Sequence, residues 1–95
     1  MFGSRQVAVY GSIIERGIML IAEDTLRPTS HARTDIGEGI RFFHLEIAAG
    51  RRGGAAHGLY YQQRILPSGV AGVVILRVLH ERMEPRRRVI LKTLE

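Results

Sequence analysis

Residues Val73 to Arg88 read VVILRVLHERMEPRRR, an almost wholly apolar run that passes into a block of arginines with His80 among them. An apolar run of this length bounded by charge reads as a buried strand, so the basic cluster beyond it is held at a sheet rim by a rigid element. Two more strands precede it: Ile40 to Ile47, and His57 to Gln63 with a possible extension to Leu66. The connections Ala48 to Ala56, with GRRGG at 50–54, and Leu66 to Gly72, with PSGVAG at 67–72, are too short for helical crossovers and carry glycine. An antiparallel meander follows. Phe43, Leu45 and Ile47 share one face of the first strand and Phe42 and His44 the other. The last strand is apolar on both faces apart from Arg77, which places it centrally in the sheet.

Upstream, Val7, Tyr10, Ile13, Ile14, Ile18 and Ile21 fall at the spacing of one helix face, predicting a long helix from Ser4 to about Asp24 with Ser4 as N-cap. Gly11 and Gly17 each cost about 1 kcal/mol against Ala inside a helix, so close packing of another backbone, from the sheet or from a segment outside this chain, is expected there in preference to a weak helix. The polar stretch 25–38, TLRPTSHARTDIGE, reads as a surface connection. The fold class is therefore α+β: one long N-terminal helix packed on a three-stranded antiparallel meander, in a single domain spanning 1–95.

Composition narrows the chemistry. The 95 residues carry 14 Lys and Arg against nine Asp and Glu, a net charge of +5, and only Lys92 among the cations is not Arg. Guanidinium groups suit bidentate contact with carboxylate or phosphate, so an acidic partner is expected. The absence of cysteine removes thiol chemistry and disulfides and fits a reducing compartment, the cytoplasm. No apolar run approaches the roughly 18–20 residues of a membrane span, so no membrane association is expected.

Among single residues, Arg77 inside an apolar strand must be solvated or paired, because an isolated buried guanidinium is costly. His80 titrates near neutrality and is a candidate acid or base, although a lone strand-end His is more often structural. Arg82, Arg86, Arg87 and Arg88 form a candidate anion surface or a solvated face. His31, His44 and His57 lack the spacing of zinc ligands, so neither a metal nor any other cofactor is expected. Tyr60 and Tyr61 point to opposite faces, one into the core and one free to stack on a partner. No serine–histidine–acid arrangement and no phosphate-binding glycine loop can be assembled from spacing.

The strings IGEGIRFFHLE (36–46), AAHGLYYQQR (55–64) and VVILRVLHERMEPRRRV (73–89) resemble the ParE group of the RelE/ParE toxin superfamily, the plasmid-stabilisation toxins of type II toxin–antitoxin modules. The resemblance is carried by Gly39, Arg41 and Phe42 or Phe43, by Tyr61 and Arg64, and most specifically by Arg77, Val78, Leu79, His80, Arg82 and Glu84. YGSIIERGIMLIAEDTLRP (10–28) is similar to the family's second helix and the loop after it. It implies a cytoplasmic toxin that inhibits DNA gyrase and replication and is neutralised by a ParD-like antitoxin. The implied contact residues for target or antitoxin are Arg41, Arg77, His80, Arg82, Arg86, Arg87 and Arg88, with no catalytic role. The alternatives are a RelE-like ribosome-dependent mRNA endonuclease and an inactive relic that binds antitoxin. Against the nuclease stand the single lysine and the absence of tyrosine after Tyr61. The family fold begins with a strand and a first helix, and FGSRQ (2–6) aligns near the end of them, so the resemblance implies a truncated RelE/ParE-like fold. The helix face of Val7, Tyr10, Ile14 and Ile21 is then expected to lack its partner helix and to meet an antitoxin or a second copy.

Overall fold

The computed structural model describes residues 4–85, with the backbone alone for 4–7. Helix α1 spans Ser4–Glu23 and is followed by β1 (Ser30–Ala32), β2 (Arg41–His44), the short helix α2 (Glu46–Ala49), β3 (His57–Ile65) and β4 (Ala71–His80). The four strands form one antiparallel sheet in the order β1-β2-β3-β4. The helix and the meander match the sequence reading. The strand count does not.

The additional strand, β1, lies in the stretch read as a surface connection. It has three residues, SHA, of which only Ser30 is buried, so it carries no apolar alternation for a pattern to detect. The first expected strand ends at His44 rather than Ile47. Leu45 is fully buried, the chain then coils into α2, and Ile47 is left 41% exposed. Gly50 closes α2 in the left-handed region (φ 79°), and its N–H donates to the carbonyls of Glu46 and Ile47. The last strand is also not central. It is a sheet edge, and its apolar character on both faces has another cause: each face of the sheet has its own core.

On one face α1 covers Phe43, Leu45, Leu59 and Tyr61. Ile21 is fully buried among them, and Tyr10, Ile13, Ile14 and Leu20 pack against the same cluster. Close approach is the reason for Gly17. A Cβ there would come within 2.6 Å of Leu45 Cδ2, whereas at Gly11 it would meet nothing within 4 Å. The helix ends with Arg27 Nη1 donating to the Leu20 carbonyl at 3.1 Å while its guanidinium lies over the Phe43 ring. The Tyr61 hydroxyl donates to the Thr25 carbonyl at 2.8 Å, fixing the chain as it leaves the helix.

On the other face Ile36 and Ile40, from the connection between β1 and β2, bury Tyr60 and Leu79, with Phe42 and Leu76 packed beside them. The Phe42 ring lies across Gly58, where a Cβ would meet it at 2.0 Å. Both Tyr60 and Tyr61 are therefore interior, at 6% and 0% exposure, and neither is free to stack on a partner.

A β-bulge makes this two-sided arrangement possible. Tyr60 pairs with Arg77 and Tyr61 with Ile75, so Leu76 is an extra residue in β4. Unbroken alternation from Val73 and Ile75, which pack under the helix, would carry Arg77 and Leu79 to the same side. The bulge reverses the phase. Arg77 sits opposite Tyr60 and Leu79 enters the second core, while Val78 and His80 turn toward the helix side.

Candidate functional site

The phase reversal places His80 opposite His57, the first residue of β3, with ring centroids 5.3 Å apart and edge-on. Tyr10 reaches the same point from α1, its hydroxyl hydrogen-bonded to His57 Nδ1 and its ring 5.4 Å from that imidazole. His44 ends β2 one strand away, and Glu81, just past β4, binds its Nε2 at 2.9 Å. Three of the chain's four histidines, one tyrosine and one carboxylate thus gather at one end of the sheet. Sequence spacing suggested that His44 and His57 were scattered. The missed signal was the pairing of the first residue of β3 with the last of β4, which any meander of these two strands implies but spacing does not display.

Hydrogen bonding fixes the tautomers of two of the rings. His44 Nδ1 accepts the Glu46 backbone N–H and His80 Nδ1 accepts that of Arg82, each at 3.1 Å. Burial pushes the Tyr10 phenol above its ordinary pKa, and burial followed by the neighbouring His80 pushes His57 below its own, with Glu81 opposing and His44 adding to the depression. Tyr10 and His57 are thus both favoured in their neutral forms. In His44 and His80 Nδ1 is the acceptor, leaving the proton on Nε2. A metal-ligating imidazole with Nε2 toward the ion uses Nδ1–H as a donor, the reverse of this pattern. No group of three or more His, Asp or Glu among the described residues has the geometry to hold a metal ion.

Glu81 lies below the ordinary carboxylate range because the hydrogen bond from His44 favours its charged form. His44 and Glu81 are thus a donor–carboxylate pair, and His57 and His80 are two imidazoles in edge-on contact. The Glu81 N–H donates to the Ala56 carbonyl at 2.8 Å, which extends the ladder by one bond and holds the cluster together. Arg82 is exposed beside it. Such a site can present imidazole N–H groups and a guanidinium to an acidic surface, or exchange protons through two adjacent imidazoles.

The other sequence-derived candidates lie elsewhere. Arg77 is half-buried on the second face opposite Tyr60. Arg41 is at the far end of β2, where its Nε and Nη2 donate to Ser30 Oγ at 3.2 and 2.7 Å. Arg86, Arg87, Arg88 and the side chain of Val7 fall outside the described residues. The expectation that Tyr10, Ile14 and Ile21 face a partner is corrected. They are the face laid on the sheet, because the sheet supplies enough apolar area to cover them, and among the described residues of α1 the large apolar side chains left exposed are Val9, Ile18 and Met19.

Against this geometry, comparison with known proteins adds nothing. No family model, curated protein or solved structure matches this chain. No helix among the described residues is long and apolar enough to cross a membrane. Assignment rests on the residues themselves.

Proposed function

We propose that this chain is a ParE-like toxin: a protein inhibitor that engages DNA gyrase, blocks replication and is neutralised by a ParD-like antitoxin. The reading is carried by the stretch Arg77 to Arg82, whose motif ends a long strand at a sheet edge, with His80 at its tip and Arg82 exposed beyond it. Arginine is suited to anchoring such contacts because its planar fork pairs with carboxylates on a partner. The net charge of +5 favours association with an acidic target or antitoxin.

A specific observation favours a second reading. Two imidazoles with ring centroids 5.3 Å apart, one held neutral by burial, can serve as base and acid in attack of a ribose hydroxyl on the adjacent phosphate. That is the chemistry of an mRNA endonuclease.

Inducible expression in a bacterial host, with DNA synthesis and translation followed together, separates the two. Early loss of DNA synthesis, rescued by a co-expressed antitoxin, is expected. Early loss of translation would transfer the assignment to the nuclease, and a soluble folded chain that arrests neither would sink both. The double substitution Arg82→Ala with Arg86→Ala should raise the concentration for half-inhibition of purified gyrase supercoiling at least about tenfold, the effect of losing roughly 1.4 kcal/mol at an interface arginine. His80→Ala should abolish activity only if the nuclease reading holds.

A further inference from the structure

At the opposite end of the sheet from the histidine cluster, a cavity of about 220 Å³ is lined by Arg41 and Gln63 together with Thr34, Leu26, Ala32 and Ile40. Arg41 is aimed by Ser30. The Ser30 hydroxyl donates to the Arg27 carbonyl at 2.8 Å and accepts from Arg41 Nε and Nη2, so the guanidinium is held in a set orientation without spending its Nη1 donors. Neither the Arg33–Asp35 nor the His44–Glu81 ion pair engages it. Gln63 is oriented likewise: its Oε1 accepts the Thr25 hydroxyl at 3.0 Å, which turns its amide donors to other use. The site therefore offers a half-buried fixed cation and a second donor group between apolar walls.

We propose that this cavity binds the side-chain carboxylate of an acidic peptide lying along β1. Charge and donor chemistry call for an oxyanion. A phosphate, with up to two charges, calls for several cations or a nest of backbone N–H groups, whereas Arg41 is the single cation lining this cavity among the described residues. Its volume is below the roughly 300–1,000 Å³ of small-molecule pockets, which suits a single side chain and not a nucleotide. Ala32, part of the wall, belongs to the terminal strand of the sheet, and the outer edge of β1 carries no other strand among the described residues. An extended peptide pairing with that edge drops alternate side chains toward the sheet face, where Arg41 waits. The proposal uses none of the residues of the histidine cluster; Arg41 is also among the contacts that the toxin resemblance implies, but it enters here on its own geometry, and the test is separate from growth arrest.

The test is an amide chemical-shift titration of the isotopically labelled chain with a capped Val-Glu-Val tripeptide, the matching Val-Gln-Val tripeptide, and inorganic phosphate. Saturable shifts are expected with the glutamate peptide alone, at a Kd on the order of 1 mM, confined to the edge strand 30–32 and residues 26, 34, 39–41 and 63. Arg41→Gln should abolish them. Because that change also breaks the Ser30 contacts, Thr34→Val at an exposed position serves as the second variant and should weaken binding several-fold in a chain with an unaltered spectrum elsewhere. Equal shifts with the glutamine peptide, saturation by phosphate, survival of the shifts in Arg41→Gln, or no saturable shift would each overturn the proposal.

Discussion

His57 is where α1, β3 and β4 meet, and its environment makes stability depend on pH. Burial and the adjacent His80 lower its native pKa, while Tyr10 on α1, Glu81 beyond β4 and His44 on β2 are the other titratable groups in contact with it or acting on it. The unfolded chain therefore binds this proton more readily than the native one. Its stabilising effect is complete above the ordinary value of 6.5, declines as pH falls below 6.5, and levels off beneath the lowered native value. Thermal melts from pH 7.5 downward should show that decline in the native chain and a shallower one in His57→Gln. Loss through Glu81 runs the same way but begins only below its ordinary 4.5, so the two windows separate. Tyr10→Phe deletes a neutral hydrogen bond and should cost about 1 kcal/mol, visible as a Tm lower by about 4–8 °C in a domain of this size. Of the three histidines in this cluster only His80 stood out in the sequence. His44 and His57 belong to it through strand pairing, a relation between distant residues that no local spacing records.

At the scale of the element, the two interior glycines of α1 make opposite demands. Gly11 opens on space, so Gly11→Ala should stabilise by about 0.5–1 kcal/mol through helix propensity alone. Gly17 lies against Leu45, Leu59 and Phe43, all fully buried, and an added methyl must displace Leu45. Gly17→Ala should lose the propensity gain and end about 1 kcal/mol less stable, since overpacking a filled core costs roughly 1–3 kcal/mol. Chemical denaturation of the two variants side by side checks the pair, and a shared sign would contradict the packing described. The sequence displayed this helix well, because its period of apolar residues is long and its face is wide. It displayed β1 not at all. Three residues of which two are exposed form a strand only because β2 offers them a ladder, and that cause lies in the partner.

Across the whole molecule, β3 holds the structure together. It pairs on both edges, contributes Leu59 and Tyr61 to the core under α1, and contributes Tyr60 to the core on the other side. Native-state hydrogen exchange should find its amides from Gly58 to Tyr61 opening only with global unfolding, and those of β1 exchanging by local opening at much lower free energy. Uniform protection across the sheet would contradict this ordering. Two small cores back to back also account for the reading of β4 as a central strand. Apolar residues on both faces normally signal burial between two layers, and here the second layer is the loop bearing Ile36 and Ile40, which carries only two apolar anchors in a polar stretch.

The bulge at Leu76 has a consequence for insertion and deletion. In a regular strand, losing one residue sends every later side chain to the wrong side. Here the chain already holds one residue more than its ladder uses, so excising Leu76 would leave Ile75 against Tyr61, Arg77 against Tyr60 and His80 against His57, at the cost of the packing that Leu76 itself makes. Excision of any other single residue from the paired middle of β4 must either be absorbed by that spare or exchange the contents of the two faces. What β4 conveys from one end to the other is parity, and Leu76 is where an even count becomes odd.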